Sequence, residues 1–286
     1  MTESFVPGEP VALSERVRRV LAPNPGRMTG AGTNSYLIST PGGGDALIVD
    51  PGPNVPSHVE ALVRALDGNR VIAIALTHSH QDHSPAALPL AGRLEVPRIG
   101  RRARYPQFQD PTFQVEQVAE EGMRITGAGW TLRAVLTPGH ASNHVCWYLE
   151  EERLLLTGDH ILGGVSPVIL PPDGDMSEYL DSLSRLLALD LDGLLPGHGP
   201  RINEPQAAIR ALIAHRLGRE AKVAAALEAG RGKTLEELLP EVYADVDPAL
   251  FAWARYSLEA HLIKLERDGR ARRDDGRWRP LDRAGR

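Results

Sequence analysis

The chain has one cysteine among its 286 residues, and aromatic residues make up only 5% of it. A single cysteine excludes an intrachain disulfide framework and is consistent with a reducing cytosol. No run approaches the roughly 20 apolar residues of a membrane-spanning helix. The N-terminal segment has Glu3, Glu9 and Glu15 but no apolar core, so it predicts no signal or transit peptide. We therefore expect a cytoplasmic protein that does not engage a membrane.

A strong positive charge is also lacking, since the formal net charge is −5. This balance gives no overall basic footprint of the kind that nucleic-acid-binding proteins carry. With 42% hydrophobic and 24% charged residues, the composition is that of an ordinary globular protein, and the length allows one large domain or two smaller ones.

The most informative segment is the pattern H-x-H-x-D-H at residues 78–83. Imidazole and carboxylate are ligands that zinc and similar metals prefer. Chance would produce this pattern on the order of once per thousand such chains. The alternative is a set of solvated or core histidines at a strand end, which explains a lone histidine better than three at this spacing.

The residues around the pattern favour a metal site. Residues 71–76 are apolar and rich in β-branched side chains, so they predict a buried strand that ends just before the pattern. His78 and His80 have the same parity and can point to one side, whereas Asp82 and His83 follow as the chain turns. Such a junction can offer ligands to two adjacent metal ions, which can share a hydroxide nucleophile.

Three further candidate ligands follow apolar runs, each beside a glycine that allows a sharp turn. His140 ends the sequence T-P-G-H, Asp159 stands in T-G-D-H before His160, and His198 lies in P-G-H-G-P. Each of them alone could be an incidental residue in a turn. Together with the first pattern they predict a site of several ligands.

This series of motifs resembles the metallo-β-lactamase superfamily. The resemblance implies that His78, His80 and His140 hold one metal ion. It implies equally that Asp82, His83 and His198 hold a second ion and that Asp159 bridges the two. All seven positions of the family pattern are filled in this sequence.

Other segments resemble the branch of that family that contains β-lactamase-like protein 2: G-T-N-S-Y-L-I from residue 32, V-D-P-G from residue 49, G-D-H-I-L-G-G from residue 158 and P-D-G-D-M from residue 172. That branch includes endoribonucleases that prefer single strands, and many uncharacterised bacterial hydrolases. Lactam-cleaving relatives generally lack the bridging carboxylate, and one class uses a cysteine ligand. Here Asp159 is present, and Cys146 lies in a strand-like run where a small core residue is expected.

The resemblance implies an α/β fold, an αββα sandwich of two mixed sheets, for residues 1–203, and the named relatives carry a C-terminal winged helix. The sequence itself predicts a helix start at Ser84-Pro85. It leaves 98–114, which has four arginines, Tyr105 and two phenylalanines, as either a substrate-facing loop or a solvated connection, with the connection favoured.

A second, winged-helix-like domain is expected over residues 204–286. Residues 207–229 read as a helix, Thr234 to Glu237 as a capping box, and 270–279 as a hairpin with Asp-Gly turn signals. Residues 267–286 contain 8 Arg and 4 Asp, a net charge of +4. This hairpin could follow a phosphate backbone and stack a base on Trp278. Alternatively, the module packs against the metal domain or a second subunit.

The sequence thus favours a hydrolase with two divalent metal ions, zinc first, with manganese or iron as alternatives. The preferred reaction is cleavage of phosphodiester bonds in single-stranded RNA by a metal-bridging hydroxide. Asp82 is expected to orient the nucleophile, and His160 is the candidate general acid, although it could equally be a buried histidine beside the ligands.

Two alternatives remain open at this stage. One is a thioester hydrolase of the hydroxyacylglutathione type, which acts on a small-molecule ester or thioester. The other is a DNA-binding regulator with a non-catalytic metal domain, which the intact ligand set disfavours. A flavodiiron-type redox role is weaker still, because no flavin module is evident. The sequence leaves the oligomeric state open.

Overall fold

The structure, a computed structural model, describes residues 5–228 and 232–281. The chain forms two compact units. The first comprises Met1–Thr137, Ser142–Pro167 and Leu189–Gln206, and the second comprises Pro138–Ala141, Val168–Ala188 and Ala207–Arg286. The C-terminal break therefore lies close to the boundary expected after residue 203, which stays a prediction, and two earlier segments also group with the second unit.

A seven-stranded mixed sheet forms one half of the first unit. Its strands follow chain order in space, antiparallel from β1 to β4 and parallel from β4 to β7. They are β1 (Pro10–Ala12), β2 (Val17–Leu21), β3 (Asn34–Ser39), β4 (Asp45–Val49), β5 (Arg70–Ala75), β6 (Arg98–Gly100) and β7 (Gln117–Val118).

A five-stranded mixed sheet forms the other half, in the order β12-β11-β10-β9-β8, with only the β11–β12 pair parallel. Its strands are β8 (Arg124–Gly127), β9 (Trp130–Leu136), β10 (Val145–Leu149), β11 (Leu154–Gly158) and β12 (Gly193–Pro196).

The two sheets pack face to face through alternate side chains of their strands. Tyr36 and Ile38 of β3 join one buried cluster with Leu132 and Trp147 of the second sheet, whereas Leu37 points the other way. This alternation is the period-two pattern of a strand buried on both faces. The expectation of two mixed sheets packed together is confirmed.

Two helices cover the outer face of the larger sheet. They are α1 (Pro56–Ala65) and α2 (Ala87–Leu94), and Leu62 and Leu90 contribute to the outer core cluster. The expected helix start at Ser84-Pro85 is wrong, since the hydroxyl of Ser84 donates instead to Asp110 Oδ2 at 2.7 Å. A hydroxyl that is hydrogen-bonded to a distant carboxylate does not cap the helix.

The second unit contains the remaining helices and a hairpin. They are α3 (Met176–Leu186), α4 (Pro205–Glu228), α5 (Leu235–Val242), α6 (Phe251–Arg267), β13 (Ala271–Asp274) and β14 (Arg277–Pro280). The predicted capping box is confirmed, because Thr234 and Glu237 each bond the other's backbone N–H. The predicted hairpin is also confirmed, with its turn at Asp275-Gly276. Residue 229, at the end of the expected helix 207–229, lies outside the described residues.

Trp278 is the central side chain of the C-terminal core rather than a surface residue. It is 2% exposed and packs with Leu235, Leu258 and Leu265. Its backbone pairs with Lys233 at 2.8 and 2.9 Å. The alternative in which Trp278 stacks a nucleic-acid base is therefore wrong, because its ring is buried among the apolar side chains of the C-terminal core.

Across residues 5–228 and 232–281, no helix combines the length and the apolar character that crossing a membrane requires.

We expect Trp278→Ala to lower the free energy of unfolding of the C-terminal unit by about 3–5 kcal/mol, because it leaves a large cavity in a small core. Trp253→Ala is the matched control, since Trp253 is 36% exposed, and it should cost less than about 1 kcal/mol. Urea unfolding followed by amide exchange within 232–281 measures both. Equal effects of the two substitutions would contradict the position of Trp278 in the core.

Candidate metal centre

The candidate ligands gather where parallel strands end at one edge of each sheet. Strands β4 and β5 run parallel, and so do β11 and β12. Asp50 follows β4, residues 78–83 follow β5, Asp159 follows β11 and His198 follows β12. Because the carboxyl ends of parallel strands meet at the same edge, these loops converge, as is common for sites in α/β proteins.

Four of the predicted ligands form one tight group in the first unit. His83 Nε2 lies 3.2 Å from Asp159 Oδ1 and 3.5 Å from Asp82 Oδ2. His198 Nε2 lies 3.0 Å from Asp82 Oδ2 and 3.4 Å from Asp159 Oδ1. One ligand atom from each of these residues lies within 4.8 Å of the other three, which is the spacing of ligands around a common ion.

His78 and His80 form a second pair beside the first group. His78 Nε2 is 3.0 Å from His80 Nδ1, and the ring centroids of His78 and His83 are 4.3 Å apart. His140 lies on the short segment that groups with the second unit, where its Nδ1 donates to Val168 O at 2.8 Å. Its place as the third ligand of this pair stays a prediction.

Asp50 holds the ligand rings in place, and the sequence reading did not assign it to the site. Its carboxylate accepts from Thr77 N at 2.7 Å, from Thr77 Oγ1 at 2.6 Å and from His83 Nδ1 at 2.8 Å. His78 Nδ1 in turn bonds Thr77 Oγ1 at 2.9 Å. A carboxylate behind metal-binding histidines fixes their orientation and tautomer. The signal for it was the V-D-P-G motif directly after a strand.

Backbone groups orient His198 in the same way. Its Nδ1 donates to Gly32 O at 3.1 Å, which leaves Nε2 directed at the carboxylates. Gly197 before it has no room for a side chain, because a Cβ there would come within 2.5 Å of Asp159 Oδ1 and 2.7 Å of His83 Cε1. The glycine of P-G-H-G-P therefore allows the two ligand-bearing loops to approach each other.

Asp159 is positioned by His144, another residue that the sequence reading did not single out for the site. His144 Nε2 accepts the backbone N–H of Asp159 at 3.2 Å. Its other ring nitrogen bonds Thr137 Oγ1 at 2.9 Å, and that hydroxyl donates to the buried Sγ of Cys146 at 3.2 Å. Cys146 is therefore a core residue, as expected. His160 is fully buried, so its role as a proton donor stays a prediction.

The charges of the four-residue group depend strongly on one another. Burial opposes the charged form of His83, but Asp82 and Asp159 raise its pKa well above the usual value. Burial also opposes protonation of His198, yet the two carboxylates raise its pKa to about 10. Against burial, the charge of His83 and the hydrogen bond from His198 lower the pKa of Asp82 to about 2. The two carboxylates thus favour positive charge at this point, on the histidine rings or on a bound cation.

These residues fit a divalent metal centre. The donor set is imidazole nitrogen and carboxylate oxygen, which suits zinc, iron or manganese. His83 and His198 each give one ring nitrogen to a carboxylate or carbonyl and direct the other at a shared point. His83 Nε2 is buried and lies 3.2 Å from Asp159 Oδ1 without the alignment of a hydrogen bond, and ligation by a cation would satisfy it.

Comparison with known families covers both parts of the chain. The family model described as metallo-beta-lactamase superfamily matches residues 28–198, a range that contains every predicted ligand. A second model, described as beta-lactamase associated winged helix domain, matches residues 234–278.

Individual proteins resemble the chain over most of its length. A "Beta-lactamase-like protein 2 homolog" from Caenorhabditis elegans is 33% identical, over 91% of this chain and 88% of its own. An "Atrochrysone carboxyl ACP thioesterase" from Aspergillus fumigatus is 33% identical, over 90% of this chain and 82% of its own. The crystal structure of a metallo-beta-lactamase family protein from Thermus thermophilus is 25% identical, covers 94% of this chain and 100% of its own, and has a TM-score of 0.78.

We expect the purified chain to bind about two divalent ions, and Asp50→Asn to weaken that binding about 10–100-fold, because it removes the charge that orients His83. Asparagine tolerates the left-handed backbone of Asp50, whose φ is +47°. Asp45→Asn, which removes only the ion pair with Arg70, is the control. Metal titration by calorimetry measures both variants, and unchanged affinity in Asp50→Asn would contradict the orienting role.

Metal binding should also release protons, because Asp82 and Asp159 raise the pKa of His83 well above its usual value and that of His198 to about 10. The apparent affinity should therefore rise with pH between 6 and 8, by about tenfold per unit for each proton displaced. His58, whose pKa burial lowers to about 4, stays neutral in this range and does not contribute. Calorimetry in two buffers of different ionisation enthalpy counts the protons, and a pH-independent affinity would rule this out.

Proposed function

The chain belongs to the metallo-beta-lactamase superfamily and is a hydrolase of that superfamily, and we propose that it cleaves thioesters at a dinuclear metal centre. This proposal rests on the grouping of the candidate ligands taken together with the name of one relative. Asp82, His83, Asp159 and His198 lie close enough to hold a cation, and the Aspergillus fumigatus relative, matched over 82% of its length, is named a thioesterase.

Each side chain of the site has a part in this chemistry. Two divalent ions, when bound, lower the pKa of water and polarise the scissile carbonyl group. His78, His80 and His140 are proposed to hold one ion, and Asp82, His83 and His198 the other. Asp159 groups with Asp82, His83 and His198, and its charge also opposes the lowering of the pKa of His78 by burial. It is therefore the proposed ligand shared by the two ions.

Two carboxylates also shape the electrostatics of the reaction. Asp82 and Asp159 face the same point from different loops, and Thr33 Oγ1 lies 3.5 Å from Asp82 Oδ2. We assign Asp82 the added role of orienting the attacking water, because one of its oxygens faces the ligand group. The leaving thiolate of a thioester needs little help from a proton donor, which suits a site where the candidate acid His160 is fully buried.

Cleavage of single-stranded RNA is the second candidate function. The winged-helix match over residues 234–278 favours it. The basic hairpin gives it less support than its composition suggests, because Arg277 pairs with Glu237 at 2.7 Å and Trp278 is buried. A DNA-binding regulator with a non-catalytic metal domain is disfavoured, since the ligand residues converge as a working site requires.

The native ions are proposed to be zinc, with manganese or iron as alternatives, because imidazole and carboxylate accept all three. A cytoplasmic location remains a prediction of the sequence, which leaves the oligomeric state open.

A panel of four substrates on metal-replete protein tests the function. We expect an acyl-glutathione or acyl-coenzyme A thioester to be cleaved fastest, ahead of single-stranded RNA, bis(p-nitrophenyl) phosphate and a lactam. Chelation should abolish the activity and zinc should restore it. Asp159→Ala should lower kcat by a larger factor than it lowers the equilibrium constant for folding. Cleavage of RNA without any thioester hydrolysis would give the function to the second candidate.

A further inference from the structure

Residues 101–110, the first part of the connection between β6 and β7, are fastened at both ends to residues 78–84, which we name the metal-binding loop. Ser79, which lies between His78 and His80, accepts Asp110 N at 2.8 Å through its carbonyl oxygen and donates its hydroxyl to Gln109 Oε1 at 2.9 Å. Ser84, which follows His83, donates to Asp110 Oδ2. The C-terminal end of this segment is therefore bonded directly to the residues that carry the ligands.

The other end of the segment is fixed by Asn143. Its side-chain amide donates to Arg101 O at 2.8 Å and to Ser79 Oγ at 2.9 Å. Arg104 N donates to Ser142 Oγ at 2.8 Å. The chain from residue 102 to residue 108, which we name the 102–108 loop, thus leaves and rejoins the metal-binding loop at Ser79.

This loop presents apolar rings and positive charge to solvent. Tyr105 is 37% exposed and Phe108 is 54% exposed. Arg102 and Arg104 are exposed as well, and the guanidinium of Arg102 has no hydrogen-bond or ion-pair partner among residues 5–228 and 232–281. A single exposed ring would need no explanation, but here two rings and two arginines fall within the seven residues 102–108.

The loop is short and internally braced, so its side chains stay near the site. Residues Pro106–Phe108 form a 3₁₀ turn, with Phe108 N bonded to Tyr105 O at 3.1 Å. Two residues of chain span at most about 7 Å, so Phe108 lies within roughly 15 Å of Ser79 through Asp110. The rings and the guanidinium groups are therefore held near Ser79, the residue between the proposed ligands His78 and His80.

We propose that the 102–108 loop determines substrate specificity, with Phe108 and Tyr105 contacting an apolar acyl group and Arg102 and Arg104 contacting phosphates on the thiol carrier. The occupant is thus an apolar or aromatic acyl thioester on a phosphate-bearing arm. Guanidinium groups bind phosphate through charge-assisted hydrogen bonds, and an exposed ring gains free energy when an apolar group covers it. This inference rests on the proposed thioester hydrolysis and assigns residues to its substrate.

The test compares four thioesters: benzoyl and acetyl groups, each on coenzyme A, which carries phosphates, and on N-acetylcysteamine, which carries none. Replacing Arg102 and Arg104 together with glutamine should raise KM for the coenzyme A thioesters about tenfold and leave the N-acetylcysteamine thioesters unchanged. Phe108→Ala should raise KM for benzoyl on both carriers about fivefold and spare acetyl. In both variants kcat should change little, and Phe108→Tyr should retain wild-type KM.

Matched controls come from exposed residues away from the loop. Arg64→Gln removes an exposed arginine of α1. Val6→Ala truncates a side chain that is 51% exposed and precedes Pro7, which pairs with Leu21 of β2 at the other end of the sheet from β6 and β7. Calorimetry with a non-hydrolysable thioether of coenzyme A gives a binding readout that does not depend on turnover. The affinity measured in this way should fall in the loop variants by the same factor as KM rises, and it should not change in the controls.

The outcomes separate the two proposals. Wild-type protein that hydrolyses no thioester overturns the proposed function. Hydrolysis of all four thioesters with loop variants that behave like the controls overturns the assignment of the loop alone, as does an equal loss on both carriers in the double arginine variant. Loop variants that impair only cleavage of single-stranded RNA would assign the loop to nucleic acid and overturn the assignment made here.

Discussion

The buried carboxylate of Asp50 is the constraint on which the metal centre depends. A carboxylate removed from water is costly unless hydrogen bonds compensate it, and here Thr77 and His83 supply three of them. Those bonds fix the chain where β4 and β5 end, and through Thr77 they also fix the ring of His78. Without this carboxylate, Thr77 and His83 would lose their three hydrogen bonds to the residue that follows β4.

Local patterns in the sequence were enough to predict much of this arrangement. The apolar run at 71–76 predicted the strand that is seen as Arg70–Ala75, and the capping box and the hairpin followed from spacing alone. Asp50 and the true role of Ser84 were missed for a common physical reason. Their hydrogen-bond partners lie 26 to 33 residues away along the chain, so no short-range sequence pattern indicates these contacts. The first strands, Pro10–Ala12 and Val17–Leu21, were also missed, because they are short and neighbour others only in the folded sheet.

Charge counting was the least reliable guide. The C-terminal hairpin has a net positive charge in sequence, but Arg277 is paired with Glu237 and Arg272 lies 3.1 Å from Asp274. A count treats such arginines as available, whereas the fold gives them carboxylate partners from the same unit. The 102–108 loop shows the converse, since a few charges and rings in an acidic domain can matter more when the backbone places them beside the metal-binding residues.

The burial of Cys146 has a practical consequence for studying this protein. Its sulfur is the only thiol of the chain, it lies inside the first unit, and it accepts a hydrogen bond from Thr137. Thiol-directed dyes and spin labels react with accessible thiolates, so the native protein offers them no ready target. A cysteine introduced at Gln107, an exposed residue of the 102–108 loop, would be the single attachment point for a fluorophore, and Cys146 would not have to be replaced first.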